Sequence, residues 1–312
     1  MWRIIFQRIR YAKMVSEREW FVGQTEKASM SNVKIWCDST CDLAKDQLQQ
    51  HNITMFPLCV ILGDETRLDG VDITPEEIYK WSDAHKTTPK TSALTFGILE
   101  DALRAAKEAD DEVIFIGISS KMSTTNNVVA MAAREFEFDK LHVFDSQNLS
   151  TGIGLQVLYA ARLAEEGKTA EEIIAALEKR VADVSASFIV DTLVYLSRGG
   201  RCNSVAALLG SVIRLHPMIV VKDGAMGVGK KYRGHLKSVL LKYAKDMEEA
   251  LLQADPTIVF ITHSGCSVEE EQAVYDYLVS LNYFKEVRIT HAGGVISSHC
   301  GPGTLGVLYY AK

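Results

Sequence analysis

The chain has 312 residues, of which 47% are hydrophobic and 24% charged, and its net charge is −6. That length accommodates two domains, or one large α/β domain with an appendage. The acidic balance excludes a sequence-independent nucleic-acid binder, which would carry a basic face, and leaves room only for a local basic patch. Six cysteines, Cys37, Cys41, Cys59, Cys202, Cys266 and Cys300, form no CxxC pair and no zinc set with clustered histidines. With no secretory signal they read as reduced thiols of a cytoplasmic protein that holds no metal.

Residues 1–31 differ from the rest. Trp2, Ile4, Ile5 and Phe6 mix with Arg3, Arg8, Arg10 and Lys13. The apolar run is too short for a signal segment or a membrane span, so this stretch reads as a poorly ordered extension. Val33 to Cys37 then predicts a strand that runs through Asp38-Ser39-Thr40 into a helix at Leu43 to Gln50. A second extended run covers Ile53 to Ile61. Thr74-Pro75-Glu76-Glu77 opens a helix with a threonine cap and proline at its first position. Thr88 to Ser92 reads as a loop, and Leu94 to Lys107 carries apolar residues at helical spacing.

The next stretch organises the chain. Val113 to Ile118 is a short β-branched run, a buried strand by pattern. It passes through Ser119, Ser120, Ser123, Thr124, Thr125, Asn126 and Asn127 into a helical spacing at Val128 to Phe136. Hydroxyls and free helix N–H groups at the carboxyl end of a sheet suit a carboxylate or phosphate oxygen. The plainer alternative is that Ser123 or Thr124 merely caps the helix. Leu141 to Phe144 is a further strand ending in Asp145-Ser146, and helices follow at Gly154–Glu166 and Thr169–Val184. Strand–helix alternation of this kind predicts a parallel α/β layer.

Beyond Val184 the pattern changes. Phe188 to Tyr195 reads as a strand leading into Leu196 to Arg201, with a helix at Val205–Leu209. Asp223-Gly224 joins two extended runs as a hairpin. A long helix at Leu236–Ala254, strands at Thr257–Thr262 and Val287–His291, and a capped helix from Ser267 to Leu281 lead to the terminal Val307–Tyr310 strand. The expectation is a two-domain α/β protein. An N-terminal parallel-sheet domain would span residues 32–184, and a C-terminal α/β domain with a mixed sheet residues 185–312.

Two phosphate-type motifs fail on context. Gly224 to Lys230 fits G-x-x-x-x-G-K, but Lys231 follows where a Ser or Thr should hold magnesium, and the loop begins at a hairpin turn. Gly301 to Gly306 fits G-x-G-x-x-G with only six residues after it, which leaves no room for a dinucleotide-binding unit. What survives there is a glycine pair beside His299, open between a ligand contact and a plain turn. No G-x-S-x-G elbow occurs. Gly199-Gly200-Arg201 and Lys230 to Gly234 set basic side chains beside flexible backbone, either as solvated turns or as a shared docking surface.

As an ordered set, seven motifs resemble the DegV family of bacterial fatty-acid-binding proteins. They are Asp38-Ser39-Thr40, Pro89 to Ser92, Ile118 to Thr125, Asp145-Ser146, Leu196 to Arg201, Lys231 to Gly234 and His299 to Gly303. The resemblance covers about Val33 to Lys312. It implies one long-chain fatty acid held between two α/β domains and presented to a separate fatty-acid kinase, with no cofactor and no catalysis by the carrier itself. It further implies that Thr91 and Ser123 bind the carboxylate through their hydroxyls, that Thr124 offers its backbone N–H, and that His299 supports the carboxylate end. Arg201 and Arg233 would face the kinase. The family's usual Ser-Gly-Thr is Ser123-Thr124-Thr125 here, Asn126 replaces a common tyrosine, and Ala93-Leu94 replaces Gln-Pro. The competing class is a hydrolase or phosphoryl-transfer enzyme using the Ser123 loop, which would require a nearby base and a metal or basic clamp.

Overall fold

The computed structural model describes residues 33–202, 204 and 215–312. The expected N-terminal extension and the helix expected at 205–209 lie outside them. Three sheets carry the described residues. The first contains, in spatial order, β2 (Thr54–Phe56), β1 (Val33–Asp38), β6 (Glu112–Gly117) and β7 (Leu141–Asp145), all parallel. An antiparallel sheet of β4 (Glu65–Leu68), β3 (Cys59–Leu62) and β5 (Lys90–Ser92) is inserted between β2 and β6. The third is mixed and runs β10 (Ala225–Arg233), β9 (Leu215–Lys222), β8 (Val184–Ile189), β13 (Thr304–Tyr310), β11 (Ile258–Ser264) and β12 (Glu286–His291). It is antiparallel except for the β11–β12 pair. An α/β fold with one parallel and one mixed sheet is therefore what the alternation predicted.

The helices are α1 (Lys45–Gln50), α2 (Pro75–His85), α3 (Phe96–Glu108), α4 (Thr125–Glu135), α5 (Thr151–Glu165), α6 (Ala170–Arg180), α7 (Val194–Gly199), α8 (Leu236–Asp246), α9 (Glu248–Leu251), α10 (Val268–Ser280) and α11 (Gly294–Cys300). Those that open on Thr74, Thr169 and Ser267 do so with complete capping boxes. Each reciprocal pair satisfies N–H groups that a helix start leaves unpaired.

Alternation along β13 shows how the layers stack. Leu308 and Tyr310 enter the core shared with the parallel sheet, whereas Leu305, Val307 and Tyr309 enter the core beneath α8 and α10. A period of two puts successive side chains on opposite faces, so a strand that is buried throughout supplies two cores at once. The shared core takes Ile35, Cys37, Ile114 and Ile116 from the parallel sheet and Ala186 and Phe188 from the mixed one. Helix α5 lies between them, with eleven of its fifteen residues buried. A helix apolar on nearly every side is stable only when covered on every side. At Gly154 a Cβ would fall 2.9 Å from the Cys41 carbonyl, so glycine lets α5 press on the segment after β1.

Several local readings differ from the structure. Thr88–Ser92 is not all loop, because β5 forms by pairing with β3. The Phe188–Tyr195 run divides into the end of β8 and the start of α7, and the long helix after Leu236 breaks at Met247. His299 lies in a helix rather than in a turn.

Candidate functional site

The strand order β2-β1-β6-β7 means that the chain leaves β1 and β6 in opposite directions. The carboxyl ends of those two strands flank the crevice where open α/β sheets bind ligands. Asp38, fully buried at the end of β1, accepts hydrogen bonds from Thr40 N (2.9 Å), from the Thr40 hydroxyl and from Ile118 N (2.8 Å). It ties the two strand ends together. Burial pushes its carboxyl up, against the pull of those three donors.

The segment after β6 is a tight turn in which Met122 N and Ser123 N both donate to the Ser119 carbonyl, at 2.8 and 3.0 Å. Ser123 is half-buried. Its Oγ lies 2.9 Å from Thr125 Oγ1 and accepts from Thr125 N at 3.3 Å. Thr124 is exposed, with φ −90° and ψ 6°. That is ordinary negative-φ backbone, so threonine fits at a position where the family pattern has glycine. Asn126 donates its amide to Ile118 O and Ser120 Oγ, each at 3.0 Å, and so fastens the turn to the strand it leaves.

Thr91 stands on β5 opposite Val60, and its hydroxyl is 2.8 Å from His299 Nε2 across 208 residues. His299 comes from the last turn of α11, which packs against β3, β5, α2 and α7. Its Nδ1 is buried without a hydrogen-bond partner among the described residues. That edge of the ring faces Gly199, where a Cβ would fall 2.4 Å from Nδ1. Burial first, and the charge of Arg201 second, lower the imidazole to about 4. The ring is therefore neutral at pH 7.

Arg201 joins these parts. Its Nε donates to Met122 O at 3.4 Å, beside Ser123, and its Nη1 donates to Gly199 O at 2.8 Å, beside His299. Thr91, His299, Arg201 and the Ser123 turn thus converge from four separate segments. Arg233 does not join them. It is exposed at the far end of β10, whereas the Arg201 segment touches β10 near its start, through Cys202 Sγ and Met226 O at 3.8 Å. That separation of seven positions amounts to roughly 20 Å of strand.

Two residues that sequence reasoning passed over are Asp42 and Asp69, both buried. Asp42 accepts from the Ser150 hydroxyl (2.6 Å) and Gly293 N (2.8 Å), and Asp69 from the Ser39 hydroxyl (2.8 Å) and Gly294 N (2.5 Å). Burial raises both carboxyls, Asp69 to about 6. The available signal was the Gly293-Gly294 pair ahead of the His299 segment, since a Cβ at either would sit within 3.3 Å of a carboxylate oxygen.

This arrangement offers hydroxyls, a neutral imidazole and one guanidinium to an anionic head group. It does not resemble a nucleophile and base, because the Ser123 hydroxyl pairs with Thr125 instead of a histidine or carboxylate. Among the described residues no group of three His, Cys, Asp or Glu could hold a metal ion, and no helix is long and apolar enough to cross a membrane. A cleft of about 150 Å³ lined by Gln47, Arg162, Arg288 and Tyr310, among others, shares no residue with this constellation.

The sequence model of the DegV family, described as a family of uncharacterised proteins, matches residues 32–312. A DegV domain-containing protein of Deinococcus radiodurans is 31% identical over 277 residues, covering 88% of this chain and 97% of its own. One from Streptomyces coelicolor is 32% identical, covering 90% and 99%. Among solved structures, a fatty-acid-binding DegV family protein from Thermus thermophilus superposes with a TM-score of 0.82 at 30% identity, covering 90% of this chain and 99% of its own. A stearic-acid-binding protein from Eubacterium ventriosum gives 0.76 at 29% identity, covering 89% and 98%.

Proposed function

The chain belongs to the DegV family, and we propose that it binds one long-chain fatty acid between its two α/β halves and presents the carboxylate to a separate fatty-acid kinase, itself catalysing no turnover. Residues 32–184 supply the head-group segments and residues 185–312 close the slot. The protein works in the cytoplasm and needs no cofactor. The Thr91–His299 pair carries this reading. Its 2.8 Å bond joins a strand of the first half to a helix that follows the last parallel pair of the second. With the ring proton on Nε2 and donated to Thr91 Oγ1, the Thr91 hydroxyl hydrogen is free for a carboxylate oxygen. Ser123 Oγ and the N–H of Thr124 complete the receptor, and Arg201 supplies charge nearby without pairing directly with the acid. A head group held by neutral donors remains accessible to a phosphoryl-transfer partner, which has no tight ion pair to break.

Affinity comes from the other end of the ligand. The shared core supplies apolar walls from both halves, with Ile118, Met122 and Leu149 on one side and Phe188, Leu196 and Ile296 on the other. At ~0.8 kcal/mol per buried methylene, an acyl tail in that layer outweighs the two or three hydrogen bonds at its head. The test is denaturing mass spectrometry of a solvent extract of the purified protein, paired with displacement of a fluorescent fatty acid. A stoichiometric fatty acid supports the reading. An empty extract together with no displaceable binding overturns it.

A further inference from the structure

Helix α11 has seven residues, too few to hold a position by its own hydrogen bonds. Its start is gripped by carboxylates from two different segments of the first half. Gly293 N donates to Asp42 at 2.8 Å, and Gly294 N donates to Asp69 at 2.5 Å. Each carboxylate is in turn fixed by a serine hydroxyl, Ser150 on Asp42 and Ser39 on Asp69, and Ser39 Oγ also accepts from Leu58 N at 3.1 Å. Ser150 holds φ 54° and ψ −147°, a region L-residues rarely occupy, so its surroundings over-determine it. At the other end of the same helix His299 meets Thr91, with its Nδ1 buried and unpartnered against Gly199.

We propose that Asp42 and Asp69 are positioning residues: by holding α11 at its first N–H groups they set the register in which His299 meets Thr91. The consequence for ligand affinity rests on the fatty-acid reading above; the positioning itself does not. An anchored N-terminus and a packed body leave a seven-residue helix little freedom to slide, so a loss at one end displaces the ring at the other. The glycine pair belongs to the device, because a Cβ at Gly293 would lie 3.0–3.3 Å from oxygens of both carboxylates.

The first readout needs no ligand. Imidazole nitrogen shifts of His299 in the purified full-length protein report its tautomer and its bond to Thr91. Asp69→Ala should move them toward those seen in Thr91→Ala, while Asp69→Asn, which keeps the acceptor, should restore them. Gly293→Ala keeps both carboxylates while crowding the helix start, and serves as the second variant should Asp69→Ala fold poorly; it should move them in the same sense. Unchanged His299 shifts in both Asp69→Ala and Gly293→Ala overturn the proposal. The second readout is a double-mutant cycle using a fluorescent fatty acid. Asp69→Ala should weaken binding roughly tenfold in the wild-type background and leave it nearly unchanged in Thr91→Ala, because residues acting through one contact are not additive. Equal losses in both backgrounds also overturn the positioning role. His299 resonances that move in these variants while the wild-type protein binds no fatty acid support the positioning and reject the lipid reading instead.

Discussion

The Ser119 hydroxyl donates to the carbonyl of Gly224, 2.6 Å away and 105 positions along the chain. Two residues on, Lys121 Nζ donates to the Asp223 carbonyl at 2.7 Å. The β9–β10 turn of the mixed sheet is therefore latched onto the same turn of the parallel sheet that carries Ser123. If the proposed fatty acid enters between the sheets at this edge, it must pass or loosen that latch. Ser119→Ala should cost about 1 kcal/mol of stability, as for one lost buried hydrogen bond, and should speed release of a fluorescent fatty acid in stopped flow. Gly224→Ala should cost more. Gly224 has φ +75°, and a Cβ there would fall 2.7 Å from Ser119 Oγ. Unchanged release rates in both variants would mean that the turn does not lie on the entry route.

At the head group, Thr91→Ala and Ser123→Ala should each weaken fatty-acid binding by about 1–2 kcal/mol, the range for a hydrogen bond to a charged group. Thr125→Ala should have a smaller effect of the same sign, because Ser123 Oγ loses the partner at 2.9 Å that orients it. Displacement titrations check all three. Wild-type affinity in both Thr91→Ala and Ser123→Ala would remove those hydroxyls from the carboxylate site.

Gly199→Ala tests the close approach of His299. Gly199 ends α7 without needing a left-handed backbone, so the nearest obstacle to a methyl is the ring, 2.4 Å from the added carbon. The expected outcome is roughly tenfold weaker binding with a modest fall in melting temperature. Placing Gly199→Ala on a His299→Ala background should add little. Full additivity there would show that Gly199 acts elsewhere.

Burial writes two opposed pH dependences into the same region. Asp69 titrates at about 6 in the folded chain against an ordinary 3.8, so the folded state binds its proton more tightly. The stability it contributes is present below the unfolded value and is lost as pH rises through 6. His299, lowered to about 4 from 6.5, does the reverse: its contribution is present above 6.5 and is lost as pH falls toward 4. Each of these displacements corresponds to about 3 kcal/mol at most. Asp69→Asn should therefore gain on the wild type by up to that amount between pH 4 and pH 8, and His299→Gln should gain on it as pH falls from 7 to 4. Urea denaturation across that range checks both signs. A difference that stays flat with pH for either variant contradicts the corresponding assignment.

Local chemistry made much of this fold readable, and long-range contact made the rest unreadable. The capping boxes at Thr74, Thr169 and Ser267, the Asp223-Gly224 turn and the apolar run of β6 each announce themselves within a few residues. Ser123 stood out because hydroxyls gathered beside a strand end, and Thr91 because the motif order resembled a family. His299 was legible as a residue but not as part of a helix, since Gly301-Pro302-Gly303 behind it signals a turn and the seven-residue α11 is held by tertiary contacts. Asp42 and Asp69 gave no local cue to a shared role: they meet only because Gly293 and Gly294, more than 200 positions away, bring their N–H groups between them. Gly199 was visible only as one of a flexible pair. Its function is steric and appears only once His299 is placed.

The two arginines assigned by resemblance to the kinase-facing surface are separable, and this yields the sharpest test of docking. Arg201 donates to Met122 and Gly199 and, after burial, its charge lowers His299, so it belongs to the proposed head-group surroundings as well as to the surface. Arg233 is exposed roughly 20 Å along β10 from that point. Arg201→Ala should therefore alter fatty-acid affinity and the titration of His299 together with acyl-phosphate formation. Arg233→Ala should leave affinity and melting temperature at wild-type values and slow acyl-phosphate formation alone in an assay reconstituted with a fatty-acid kinase and ATP. Raised salt should reproduce part of the Arg233 effect, because exposed charges are screened over about 8–10 Å at physiological ionic strength. A merely structural Arg233 would lower the melting temperature and spare transfer at temperatures where the variant is folded. Normal transfer by folded Arg233→Ala across the salt range would take that residue off the docking surface and leave Arg201 as the sole candidate of the pair.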